Sequence, residues 1–293
     1  MLTYENCTLC PRRCGVNRAR GERGFCKMPA GAVLARAMLH RGEEPVIGGK
    51  NGAGAVFFSG CTMRCTFCQN AEISAHGRGV AVTPEHLRGI FERLIAQGAQ
   101  TLDLVTPTQF LPSILPALTP KLPVPVVYNC GGYERVETLR ALDGLVDVYL
   151  PDLKYADDAL AAALSRAPDY FETATAAILE MYRQTGPAVV EGGVLTRGVL
   201  IRHLVLPGHL DNTLRVIEWV ADAFPRGDVL FSLMSQYVPM GAQQPPLDRT
   251  LTREEYDGAL SWMELCGIAE GFTQEFASAT TELLPEFNFD DIF

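Results

Sequence analysis

Three cysteines in the segment FFSGCTMRCTFCQN, Cys61, Cys65 and Cys68, have CxxxCxxC spacing and directly follow an apolar run. Cysteine thiolates hold iron–sulfur clusters, usually four to a cube. A compact triad with no obvious fourth partner leaves one iron open, and an open iron is a place where a reaction can occur. Gly60 turns the chain into this loop. The competing reading is a zinc knuckle that borrows a distant fourth ligand, although zinc signatures usually pair two CxxC-type knuckles. A second set, Cys7, Cys10, Cys14 and Cys26, could close a site with four thiolates. Tetrahedral zinc fits that set, and so does a second iron–sulfur cluster. A cluster there could pass electrons to the triad or bind a ligand; zinc could do neither. Cys130 is not expected to be a cluster ligand.

The elements that must position these groups are legible from about residue 53 onward. Short apolar runs alternate with amphipathic stretches, the pattern of repeated βα units around a parallel sheet. The expected strands are residues 55–58, 102–106, 124–129, 146–150, 200–206 and 229–234. Thr83 and Pro84 read as N-cap and first residue of a helix whose buried stripe is Leu87, Ile90, Phe91, Leu94 and Ile95. Asp211 reads as the cap of another, and Thr252 with Glu255 as a capping box before a third. Parallel crossovers are right-handed, so such units either close toward a barrel or spread into a doubly wound sheet. The cysteine triad leaves its strand at the carboxyl end, where parallel α/β folds build their sites. Residues 239–246 (PMGAQQPP) predict a surface loop. Residues 1–50, with four cysteines and no strong period, read as a metal-stapled arm, and 51–293 as the core with a C-terminal extension.

Of the 293 residues, 47% are apolar and 20% charged, enough apolar surface to offset the entropy of ordering a globular chain. A net charge of -9 repels a phosphate backbone, so nucleic acid is not an expected partner. No apolar run reaches about 18 residues, and MLTYENCTLC has neither the basic start nor the apolar stretch of a secretory signal. A cytoplasmic location with no membrane partner is therefore expected. Clustered cysteines in a reducing compartment point to metal rather than to disulfides.

The triad with an aromatic, Phe67, before its last cysteine resembles the signature of radical S-adenosylmethionine enzymes. FFSGC..RC.FCQN, YLPDLKY and RHLVLPG are similar to the glycyl-radical activating branch, of which pyruvate formate-lyase activating enzyme is typical, over roughly residues 53 to 240. CxLCPRxC and VYNCGGYE point to a related activase-like subgroup. The resemblance implies a partial (β/α)6 TIM-like barrel of parallel strands, preceded by a small cysteine-rich appendage. It implies a 4Fe-4S cluster on Cys61, Cys65 and Cys68 that binds S-adenosylmethionine and cleaves it reductively to a 5′-deoxyadenosyl radical. The radical would abstract hydrogen from a partner, activating a glycyl-radical enzyme, or alternatively modifying a small molecule or another protein side chain. An electron donor of flavodoxin or ferredoxin type goes with that chemistry. A different class, a non-catalytic iron–sulfur electron-transfer protein, would have all-cysteinyl clusters and no turnover.

By the same resemblance Phe67 packs near the adenine, Asp152 and Lys154 surround the methionine end, and Arg202 contacts the ligand. Asn129 and Gly131 would meet its ribose or carboxylate. Where the family carries Gly-Gly-Glu for the ligand's ammonium, this chain has Thr106-Pro107-Thr108-Gln109, so Thr106, Thr108 and Gln109 are the substitutes. Gln236 or Tyr237 would stand in for a late histidine of the activases. His203 alternates to the opposite face of its strand and reads as structural. His40, Glu43 and Glu44 are expected in a solvated loop, the alternative being a segment that closes over the active site.

Overall fold

Each of the six apolar runs forms a strand, and each pairs in parallel with the next. The computed structural model describes residues 2–274 together with Phe287 and Ile292. Its strands are β1 (Ala32–His40), β2 (Ala53–Phe58), β3 (Val80–Val82), β4 (Leu102–Val105), β5 (Val126–Cys130), β6 (Val148–Pro151), β7 (Val189–Glu191), β8 (Val194–Leu204), β9 (Leu230–Met234) and β10 (Gly271–Thr273). The sheet order is β10-β9-β8-β6-β5-β4-β2-β1-β3, with β7 pairing β8 off this path. From β2 through β4, β5, β6, β8 and β9 every pairing is parallel. Spatial order follows chain order along this run, without the reversal that defines a doubly wound sheet, so the wall curves one way as a partial (β/α)6 barrel.

Alternation along the strands separates two environments. Outward residues such as Leu104, Tyr128, Ile201 and Phe231 join the main apolar core. Inward residues at one level, including Ala53, Val127, Val148, Leu200 and Leu230, form a smaller core closed by Ile47. Further along the same inner face stand Asn129, Asp152 and Arg202, which line a cavity instead of filling it.

The helices are α1 (Pro45–Gly48), α2 (Ala71–Ser74), α3 (Pro84–Ala96), α4 (Leu111–Ala117), α5 (Val136–Leu139), α6 (Asp158–Ser165), α7 (Tyr170–Thr185), α8 (Leu210–Ala223) and α9 (Arg253–Leu265). Thr83 caps α3 by accepting from His86 N at 3.2 Å. Thr252 and Glu255 form the reciprocal capping box of α9. α8 departs from the sequence reading. His209 is its N-cap, so Asp211 lies inside the first turn, where its charge faces the positive end of the helix dipole.

The first fifty residues are less separate than their composition suggests. Residues 32–40 form β1, which runs antiparallel to β2 with Leu34 opposite Phe58 and His40 opposite Ala53. What lies off the sheet is residues 2–31, whose regular structure is a single 3-10 turn at Arg18–Arg20. Among the described residues no helix is long and apolar enough to cross a membrane.

Candidate functional site

β2 ends at Phe58, and Ser59 and Gly60 carry the chain into the triad loop. Gly60 has φ 75, and a Cβ there would stand 2.4 Å from Met28 Cγ, so the turn beneath the arm admits glycine alone. Cys61, Cys65 and Cys68 line one end of a cavity of about 490 Å³, within the size range of small-molecule sites. Each sulfur has a hydrogen-bond partner: Met63 N donates to Cys61 Sγ (3.4 Å), Ser165 Oγ to Cys65 Sγ (2.9 Å), and Ser74 Oγ lies 3.3 Å from Cys68 Sγ. Burial pushes the Cys65 thiol up to about 12 and raises Cys68 as well, and the neighbouring cysteines add to both. Three part-buried sulfurs that repel one another when ionised need positive charge among them. An iron–sulfur cluster supplies it, so the donor set fits that group. Phe67 faces the same cavity, its ring 5.9 Å from that of Tyr237.

A charged lattice lines the same cavity. Lys154 Nζ donates to Asp152 Oδ2 at 2.5 Å, and Arg202 Nε donates to Asp152 Oδ1 at 2.9 Å. Burial alone would push Asp152 up, but the two cations hold it below its ordinary range. Arg202 Nη2 donates to Asn129 Oδ1 at 2.7 Å, while Asn129 Nδ2 donates to Asp103 Oδ2 at 3.2 Å. An aspartate in place of Asn129 would set a second carboxylate against Asp103. Gly131 leaves room that a side chain would take, since a Cβ there would meet Met63 Sδ at 2.9 Å and Lys154 Cε at 3.8 Å.

The segment after β4 divides. Thr106 lines the cavity in a left-handed conformation, φ 57. Thr108 also lines it, but its hydroxyl is already committed, donating to Glu134 Oε1 (2.6 Å) and accepting from Tyr128 OH (3.0 Å). Gln109 lies outside the lining and does not present its carboxamide to a ligand. Its Nε2 donates to the carbonyls of Ser59 (2.9 Å), Gly60 (3.2 Å) and Thr106 (2.8 Å), tying the turns after β2 and β4 together. Gln236 lines the cavity; Tyr237 is buried behind Phe67 and donates to Leu247 O at 2.7 Å. His203 faces away, its Nδ1 2.6 Å from Leu153 O and its Nε2 3.0 Å from Thr213 Oγ1, and burial lowers it to about 4.

Sequence reasoning missed Glu134, Ser74 and Ser165. Glu134 lines the cavity and burial pushes it up to about 8; its one sequence signal was a lone carboxylate after the glycines that end β5. Ser74 and Ser165 carried no signal, because they reach the sulfurs only through the fold. Of the two readings of His40, Glu43 and Glu44, the favoured solvated loop is contradicted, and the segment stands at the cavity. All three line the cavity, and Glu43 and Glu44 turn their carboxylates toward Arg202, because β1 runs antiparallel and returns its end to the barrel.

The arm lies against this site. Cys10 is raised by burial, by Glu134 of the cavity wall and by the nearby Cys26 and Cys14, while Cys26 is raised by burial, Cys7 and Cys14. The four cysteines are thus electrostatic neighbours. Among the described residues no set of three or more His, Cys, Asp or Glu side chains converges as the ligands of a single metal ion would. Arginines dock the arm. Arg12 Nε donates to Thr62 O at 2.9 Å and its guanidinium stacks on Phe25, 4.0 Å from the centroid. Arg18, 2% exposed, donates to Pro29 O (3.1 Å) and Gln109 O (2.6 Å). Arg135 reaches back to Thr8 O at 2.5 Å.

A one-way parallel barrel with three cysteines at the mouth of its cavity defines a class, and the profile of the Radical SAM superfamily matches residues 55–232. The chain belongs to that superfamily, whose chemistry is radical reaction of S-adenosylmethionine. It is 31% identical over 276 residues to the uncharacterized protein MJ0674 of Methanocaldococcus jannaschii, covering 89% of this chain and 75% of that one. Among solved structures it is similar to Streptococcus suis SuiB, at 13% identity and a TM-score of 0.49 over 82% of this chain and 53% of SuiB. The chain thus spans about half of SuiB's length. It is also similar to a domain of pyruvate-formate lyase-activating enzyme from Bacteroides vulgatus, at 15% identity and a TM-score of 0.40, covering 66% of this chain and 91% of that domain.

Proposed function

We propose that Cys61, Cys65 and Cys68 hold a 4Fe-4S cluster, and that the cavity beside them binds S-adenosylmethionine together with a substrate that gives up a hydrogen atom. The observation that carries this reading is the triad itself: three hydrogen-bonded sulfurs at one end of the cavity, at the carboxyl end of β2. Bound there, the cluster supplies the electron that splits the sulfonium bond into methionine and a 5′-deoxyadenosyl radical. The chain's own residues bind and shield. Asp152 and Lys154 offer a matched pair of charges to the methionine end, and Arg202, fixed by Asp152 and Asn129, offers a cation beside them. Gly131 and Asn129 leave space and polarity for the ribose or carboxylate, Phe67 gives the adenine an apolar surface, and Thr106 with Thr108 borders the place of the ammonium. Gln109 positions the two turns instead of touching the ligand.

The four cysteines of the arm are proposed to form a second metal–thiolate centre, zinc or a further iron–sulfur cluster; the electron donor is proposed to be of flavodoxin or ferredoxin type. Anaerobic reconstitution tests the core of this reading. Iron bound at the triad, followed by 5′-deoxyadenosine on adding dithionite and S-adenosylmethionine, is the expected outcome. Iron without any 5′-deoxyadenosine would instead make the chain an electron-transfer protein. Iron and zinc counts on the same sample identify the arm's metal. Activation of a glycyl-radical enzyme is one use of such a radical; the charges in the cavity favour another.

A further inference from the structure

The loop after β1 brings Glu43 and Glu44 into the cavity, each side chain only 10% exposed. They stand 3.6 and 3.8 Å from Arg202 Nη1, longer than a hydrogen bond, because the Nε and Nη2 of Arg202 are spent on Asp152 and Asn129. Asp103, fully buried on β4 and outside the cavity lining, takes a bond from Asn129 and lies beside Glu43; within the lining, Glu44 Oε2 has no hydrogen-bond partner. Four carboxylates, those of Glu43, Glu44, Asp103 and Asp152, thus share Arg202 and Lys154, and Lys154 lies on Asp152. His40, 4.0 Å from Glu43, is lowered by burial and by Arg36, so it adds no charge at neutral pH. Burial, with Asp103 and Glu44 adjacent, pushes Glu43 well above its ordinary range; burial pushes Asp103 to about 7. Such a site keeps protons until another cation replaces them. An anionic ligand adds charge of the same sign and a neutral one can donate but brings no compensating charge, whereas a positive nitrogen group supplies both charge and N–H donors.

We propose that Glu43 and Glu44, backed by the buried Asp103, recognise an ammonium or guanidinium group on the substrate, which makes that substrate a cationic small molecule or side chain and not a glycine of a peptide backbone. The inference rests on the function proposed above only for the use to which the bound group is put. The test is calorimetric titration of the reconstituted, unreduced full chain with n-butylammonium, n-butylguanidinium and 1-butanol. Either cation should bind while the alcohol gives only heat of dilution, and binding should tighten as pH rises from 6 to 8 and the carboxylates lose their protons. Glu44→Gln should weaken cation binding by about tenfold, the worth of one charged hydrogen bond, and Asp103→Asn by less. Glu44 lies on a loop, which keeps the test available if the buried Asp103 variant does not fold. Equal binding of alcohol and ammonium, or cation binding unchanged in Glu44→Gln, would overturn the proposal. So would full competition between the cations and S-adenosylmethionine, which would assign the carboxylates to that ligand's own ammonium. The titration needs no radical chemistry. Intact cation binding without 5′-deoxyadenosine formation would sink the radical assignment alone, and the reverse would sink the recognition site alone.

Discussion

The two cysteine sets are held by different means. Cys61, Cys65 and Cys68 hang from the end of a buried strand, and the serines that meet Cys65 and Cys68 come from α6 and α2. Cys7, Cys10, Cys14 and Cys26 sit on a segment with one short 3-10 turn, docked by arginines onto the barrel's loops. The difference teaches where folding energy comes from. A sheet can prepare a site in advance, whereas a segment without a ladder of its own draws order from its neighbour and, on the function proposed above, from a metal.

Three variants would break or sharpen that contrast. Cys65→Ala should have the largest effect, abolishing iron at the triad and 5′-deoxyadenosine formation while the helical circular dichroism is retained. A collapse of the helical signal would show that the sheet, too, depends on the cluster. Cys10→Ala should lower total metal and expose the arm to limited proteolysis while the triad still loads iron; unchanged metal content and digestion would put the arm on the same footing as the barrel. His203→Gln probes the frame behind the cavity without touching metal. His203 is neutral when folded and lowered to about 4, so the unfolded chain binds the extra proton between its ordinary value and that point. Stability from this group is present above pH ~6.5 and is lost as pH falls toward 4, by about 3 kcal/mol in all. The Tm gap between wild type and His203→Gln should therefore narrow on acidification. A gap constant from pH 7 to 4.5 would mean that His203 is not held neutral.

The parallel wall was legible because strands buried on both faces read as short continuous apolar runs. β1 was not, since Arg36 and the cysteines before it made the segment look like part of the arm. The long helix α7 buries its stripe largely through Ala174 and Ala177 beside Ile178 and Met181, and small residues mark a helix face weakly. The triad could be read from spacing, whereas the role of Gln109 could not, and Glu43 and Glu44 stayed between two readings. A carboxylate pair looks the same in sequence whether it meets water or a buried guanidinium, and only the antiparallel return of β1 decides between them. Asp211 stands two residues past the observed N-cap, the usual blur of helix ends.

Arg12, Arg18 and Arg135 show one use of a composition rich in arginine, twenty-one against four lysines. Carbonyl oxygens face these side chains from several directions, and a planar fork can satisfy two or three at once, which a single ammonium on a flexible stem does poorly. Guanidinium thus serves as mortar between a region lacking strands and a wall built of them. Lysine swaps that preserve every charge would loosen the joint all the same, and excising the first thirty-one residues would strip the carbonyls of Thr62 and Gln109 of the donors that now cover them.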